Sequence, residues 1–140
     1  MRYVDDTFII WPHSKDKLDS FLKHLNSQDQ QIKFTMEIEK DQALPFLDVQ
    51  IQKLPTEGFT HTIYRKPTHT NRYLNANSHN HPAQLNSVVH TLVSRSLKLT
   101  DNNNKNTEIQ TLTNILQQNG YNKKQILRNI EKVENPNTTT

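Results

Sequence analysis

The chain contains no cysteine. Disulfides, thiolate zinc sites and cysteine nucleophiles are therefore excluded. No apolar run approaches the roughly 20 residues that a membrane span needs. The start, Met1-Arg2-Tyr3-Val4-Asp5-Asp6, lacks the apolar stretch of a signal peptide. Apolar residues are scarce: 32% of 140, with a mean hydropathy of −0.87. That is polar for a self-sufficient globular domain. It implies a thin core or a face meant for a partner. An intracellular setting with no membrane fits these absences.

Charge is divided unevenly along the chain. Residues 1–60 carry seven lysines and arginines against ten acids, and residues 61–140 carry ten against four. A basic half following an acidic one suits a polyanion, such as nucleic acid, held beside a metal site. It also suits a plain solvated surface.

The pattern of apolar residues predicts the elements. Arg2–Trp11 reads as a tight hairpin ended by Pro12, which cannot donate to a ladder. Ser14 suits a helix N-cap, and Leu18, Phe21, Leu22 and Leu25 share one helical face. Ile32, Phe34, Met36 and Ile38 alternate with polar residues, which predicts a half-buried strand. Leu47, Val49 and Ile51 predict a second strand and Phe59–Arg65 a third, joined at Pro55–Gly58. Residues 66–82 have no period and read as a connector. Pro82 then suits the first turn of a helix with the stripe Leu85, Val88, Val89, Leu92, Val93 and Leu97. Ile109, Leu112, Ile115 and Leu116 mark another helix, with Gly120 in the C′ place. Asn122 with Gln125 resembles a capping box for a last helix carrying Ile126, Leu127, Ile130 and Val133. The predicted fold class is α+β. It has antiparallel hairpins with one helix over residues 1–67 and a connector at 68–81. A three-helix lobe at 82–134 and a disordered tail at 135–140 complete it.

Asp5 and Asp6 are the first candidates for chemistry. Adjacent carboxylates repel unless a cation lies between them, and a turn keeps that cost low. Magnesium takes one or two carboxylates, several waters and substrate phosphates. Asp5 is the stronger ligand candidate and Asp6 the supporting one; manganese would serve as well. Tyr64, Arg65, Lys66, Arg72 and Tyr73 interleave cations with aromatics, which suits phosphate pairing and base stacking. Arg95, Lys98, Lys123, Lys124 and Arg128 fall beside the apolar stripes, placed for a duplex backbone or for solubility. His69, His79, His81 and His90 fit no standard zinc spacing without cysteine.

Four ordered motifs carry a resemblance. Arg2-Tyr3-Val4-Asp5-Asp6 resembles the palm hairpin of reverse transcriptases. Leu44-Pro45-Phe46-Leu47-Asp48-Val49, Tyr64-Arg65-Lys66-Pro67-Thr68-His69-Thr70-Asn71-Arg72-Tyr73-Leu74 and Asn77-Ser78-His79-Asn80-His81-Pro82 resemble the Penelope-like branch of those enzymes. The resemblance runs from residue 2 to about residue 99. It implies an RNA-directed DNA polymerase of a retrotransposon, with Asp5 and Asp6 as two of three catalytic, metal-binding aspartates. The resemblance places Phe46, Leu47, Asp48 and Val49 in a primer-gripping hairpin. It makes residues 1–67 a partial palm, and the helices a thumb or helix-turn-helix-like region on a template–primer duplex. The family's third aspartate and fingers precede the residue equivalent to Met1. This chain is therefore expected not to polymerise alone; deoxynucleotide and magnesium would be bound by the intact parent. The family has two adjacent histidines where His79 and His81 are split by Asn80. The implied setting is intracellular and nuclear. The alternatives are a non-catalytic helix-turn-helix-type nucleic-acid-binding module, or a decayed retroelement remnant.

Overall fold

The computed structural model describes residues 1–136. The tail expected at 135–140 thus lies mostly outside the described residues. The architecture is α+β, as the apolar pattern implies, with two small antiparallel sheets and four helices. The chain divides into two compact units, Met1–Leu44 and Pro45–Thr140. No helix among the described residues is long and apolar enough to cross a membrane.

In the first unit, β1 (Arg2–Tyr3) pairs antiparallel with β2 (Asp6–Thr7), Tyr3 opposite Asp6. Val4 and Asp5 form the turn. Val4 sits at φ 49°, a left-handed conformation that a β-branched side chain rarely adopts. The Phe8 amide reaches the Met1 carbonyl at 2.7 Å, and the ladder ends there. The predicted second arm to Trp11 does not form. Trp11 instead turns toward α1 (Lys17–Ser27), its ring 5.1 Å from that of Phe21 and its indole N–H donating to the Ser14 carbonyl. The helix starts two residues later than the Ser14 cap predicts, with Asp16 at the N-cap and no side-chain cap bond. Leu18, Phe21, Leu22 and Leu25 do share one half-buried face.

The strand predicted at Ile32–Ile38 is absent. Period-two alternation specifies which face would be buried, but a strand also needs a neighbour to complete its ladder. No backbone among the described residues pairs with this run; a single bridge joins Lys40 to Ala43 just beyond it.

The other sheet has the strand order β3 (Ala43–Phe46), β4 (Val49–Lys53), β5 (Phe59–Ile63). Leu47, at φ 55°, and Asp48 turn the chain between β3 and β4. The strand predicted from Leu47 therefore starts at Val49. β4 and β5 pair with Val49 opposite Ile63 and Lys53 opposite Phe59. The turn between them closes through Leu54 N–H to the Gly58 carbonyl at 3.0 Å. The Tyr64 amide still reaches the Asp48 carbonyl at 2.8 Å, one rung past the strand end.

Three helices follow: α2 (Pro82–Leu99), α3 (Lys105–Gln118) and α4 (Lys123–Glu134). Their stripes converge on Val89, Val93, Leu112, Leu116, Tyr121, Ile126 and Ile130, all buried. Each such aliphatic side chain contributes about 1.5–3 kcal/mol on leaving water. β5 is fastened to the α2–α3 corner by Asp101. Its carboxylate accepts from the Thr60 hydroxyl, from the Asn104 side-chain amide at 2.8 Å and from the His61 amide at 3.2 Å. Those donors, Thr60 foremost, hold the Asp101 carboxyl below the usual carboxylate range.

Candidate nucleic-acid interface

α3 and α4 form a helix-turn-helix. Asn119 ends α3, Gly120 turns the chain at φ 89°, and Asn122 opens α4. The dihedral favours glycine, and a Cβ there would also press lightly on Asn75 Oδ1 at 3.3 Å. The Asn122 side chain accepts from the Lys124 amide at 2.8 Å, which is half of the expected capping box. Gln125 does not return to Asn122; it reaches Asn86 on α2 at 3.4 Å.

The connector is strapped across this turn. The buried Asn119 side chain accepts from the Tyr73 amide at 2.9 Å and donates to the Asn71 carbonyl at 2.9 Å. Its own carbonyl accepts from the Ala76 amide at 3.0 Å. The Tyr121 hydroxyl donates to the Leu74 carbonyl at 2.7 Å, and burial pushes its phenol pKa up. From the far side α2 braces α4, as Asn86 Oδ1 accepts from the Asn129 amide at 3.1 Å. The start and the middle of α4 are thereby held while its outer face stays exposed. That face carries Lys123, Lys124, Leu127, Arg128, Glu131 and Lys132, all exposed.

The electrostatics of α4 are unusual for a helix built only for stability. A helix N-terminus carries partial positive charge and favours acids. α4 has no acid in its first turn and opens with Lys123 and Lys124. Neither lysine forms an ion pair among the described residues. An anion placed there would meet two ammonium groups and the positive end of the dipole together.

The residues singled out in the sequence fall into three places. Leu47, Asp48, Tyr64, Arg65, Lys66 and Tyr73 line one open cleft of about 380 Å³, with His69, Arg95 and Ser96. Across it Arg95 meets Asp48 at 3.1 Å in an exposed ion pair, an arrangement worth little in water. Tyr73 has its ring 5.9 Å from that of His69. Phe46 and Val49 lie in the strands flanking the Leu47–Asp48 turn. Arg72 is exposed, outside the cleft. Asp5 and Asp6 sit in the other unit, at the β1–β2 turn, both exposed.

Arg65 has a different setting from the one its neighbours suggest. Its guanidinium grips the buried Glu108 with both terminal nitrogens, one at 3.0 Å, and the Ser96 hydroxyl supports the same carboxylate at 3.3 Å. Hydrogen bonding to Glu108 raises the Arg65 pKa. This charge ties the end of β5 to α2 and α3, and a phosphate would have to displace a bidentate carboxylate to reach it. His81 caps α2, its Nδ1 accepting from the Ala83 amide at 3.1 Å, and His79 is exposed. Among the described residues no three side chains of histidine, aspartate or glutamate gather where they could hold a metal.

Glu108, Asn119 and Tyr121 were not singled out from the sequence. Glu108 had a readable signal: it precedes Leu112, Ile115 and Leu116 at spacings of four, seven and eight, an acid on an apolar stripe. Asn119 had none, because its partners are far off in the chain.

No curated protein and no solved structure matches the chain. Residues 72–131, from the strap through α2, α3 and most of α4, match the family model of the animal helix-turn-helix domain.

Proposed function

We propose that the helical lobe is a nucleic-acid-binding module that presents the outer face of α4 to a duplex. The observation that carries this reading is the pair Lys123–Lys124 at the positive end of α4. That placement disfavours folding, by about 0.3–1 kcal/mol per charge, and favours a bound polyanion. The match to a helix-turn-helix domain supports it, since the second helix of such a pair is the one that enters the major groove. Lys124, Leu127 and Arg128 lie within one turn of that face, so cationic contacts flank an apolar one. A nuclear place of work belongs to the same proposal.

The test uses opposing signs. Lys123→Ala/Lys124→Ala/Arg128→Ala should weaken binding to a labelled duplex of about 20 base pairs by one to two orders of magnitude at low salt. The same variant should melt no lower than the wild type, because a dipole conflict is removed. Unchanged affinity would sink the assignment of α4.

A second reading has its own observation. The Val4–Asp5 turn sets Asp5 at the tip of a tight hairpin and Asp6 at the start of its second strand, beside the strained Val4. In an intact reverse transcriptase of the Penelope-like kind, these carboxylates would hold magnesium or manganese. The ions would polarise the deoxynucleotide phosphates for RNA-templated DNA synthesis, and Phe46–Val49 would grip the primer. Two exposed carboxylates fit part of a magnesium shell, which takes few protein ligands. Manganese titration followed by NMR checks it: early broadening at Asp5 and Asp6 supports the reading, and equal broadening at all exposed acids contradicts it.

A further inference from the structure

We infer that residues 32–38 form an antiparallel pair with the same residues of a second copy of this chain, centred on Thr35. The run is not helical, has no positive φ from Ile32 to Lys40, and makes no ladder among the described residues. Its apolar side chains are nonetheless ordered as a strand's are. Ile32, Phe34 and Ile38 are 55%, 41% and 39% exposed.

One edge of this run is already occupied at Phe34. The Asn26 side chain donates to the Phe34 carbonyl at 3.1 Å and accepts from the Phe34 amide at 2.6 Å, as a neighbouring strand would. In extended backbone a residue's N–H and C=O point to the same side, and its neighbours' point to the other. With Phe34 turned to Asn26, a strand through this run would present the amides and carbonyls of Lys33, Thr35 and Glu37 at the opposite edge. No backbone partner meets them among the described residues. A run occupied at the centre of one edge offers its other edge for pairing, which a two-fold dimer uses once.

The sequence is self-complementary about Thr35. In that register Lys33 lies opposite the second copy's Glu37, twice by symmetry. Ile32 faces the second copy's Ile38, and Phe34 faces its Met36. Charges of opposite sign meet, and apolar residues meet on one face; both favour antiparallel pairing. Lys33 also donates to the Asn26 carbonyl at 3.0 Å, which leaves two ammonium protons for Glu37. A register shifted by one residue would turn the apolar face of one copy against the polar face of the other.

The full chain lacks cysteine, so one introduced thiol reports register directly. At a hydrogen-bonded antiparallel pair the Cα atoms are about 5.5 Å apart, within the range a disulfide spans. Thr35→Cys should therefore oxidise to a covalent dimer much faster than Glu39→Cys, whose opposite residue is Gln31. Sedimentation should show concentration-dependent dimers of the wild type. Lys33→Glu should weaken them about tenfold, since two attractive pairs become two repulsive ones. Lys33→Glu/Glu37→Lys should restore them. Thr35→Pro should abolish them, by removing the central donor. Equal crosslinking at positions 35 and 39, a monomer at all concentrations, a dimer that survives Thr35→Pro, or a charge swap that fails to rescue would each overturn the proposal.

Discussion

In the helical lobe Val89, Leu116 and Ile126 are sealed from water, whereas no side chain of residues 1–44 is buried. The apolar patterns of the two regions are equally regular, so pattern does not explain the difference. In the lobe three helices bring their stripes to one centre, and each stripe is another's partner. In Met1–Leu44 the stripe of α1 is only half-buried, with Trp11 against Phe21, and the alternating run 32–38 meets no backbone partner among the described residues. Amphipathic order states which face should be covered and leaves open what covers it.

The sharpest way to break this contrast is to cut both apolar faces. Leu116→Ala should cost about 2–5 kcal/mol, because the cavity would be fully enclosed. Leu22→Ala in the half-buried face of α1 should leave the main thermal transition in place. Circular dichroism melts of the two variants make the comparison, and equal losses would show that the regions share one core.

Glu108→Ala comes next. It strands the Arg65 guanidinium, which is about a quarter exposed and so partly hydrated. The expected loss is about 2–3 kcal/mol, toward the lower end for a broken buried pair. Glu108→Gln should recover part of it, and a null result in urea denaturation would show that the pair does not hold β5 to the helices. Gly120→Ala should cost about 1–2 kcal/mol, since it adds a left-handed strain and presses on Asn75.

The smallest effect is a pH dependence. The folded Asp101 carboxyl titrates below its ordinary value of 3.8. Its contribution is therefore fully present above that value and is lost as pH falls through the folded pKa. Asp101→Asn should flatten the acid limb of a melting-temperature profile below about pH 4, where carboxylates protonate. An unchanged slope would show that the Thr60 and Asn104 contacts do not persist in solution.

The lobe was legible because its signals are local. Pro82, Gly120 and Asn122 mark helix ends by their own backbone chemistry, and each stands where its type demands. Strand signals fared worse, since a strand is completed by residues distant in sequence. Ala43–Phe46 pairs although it contains Pro45, and Ile32–Ile38 does not although it alternates. Of the interleaved cations and aromatics at 64–73, all but Arg72 line one cleft, and Arg65 there is taken up by Glu108. A sequence places two charges in the same chain without stating that they meet. Asn122 already puts Lys123 and Lys124 at the start of α4, but only the fold shows that neither meets an acid among the described residues, so that both oppose the dipole.

The most direct measurement of the central claim is the salt dependence of duplex binding by the full chain. Each phosphate contact contributes about 0.9 to the slope of log K against log salt concentration. Removing Lys123, Lys124 and Arg128 together should flatten that slope by about 2.7. Identical slopes for wild type and triple variant would contradict the account, because the cations of α4 would then touch no phosphate.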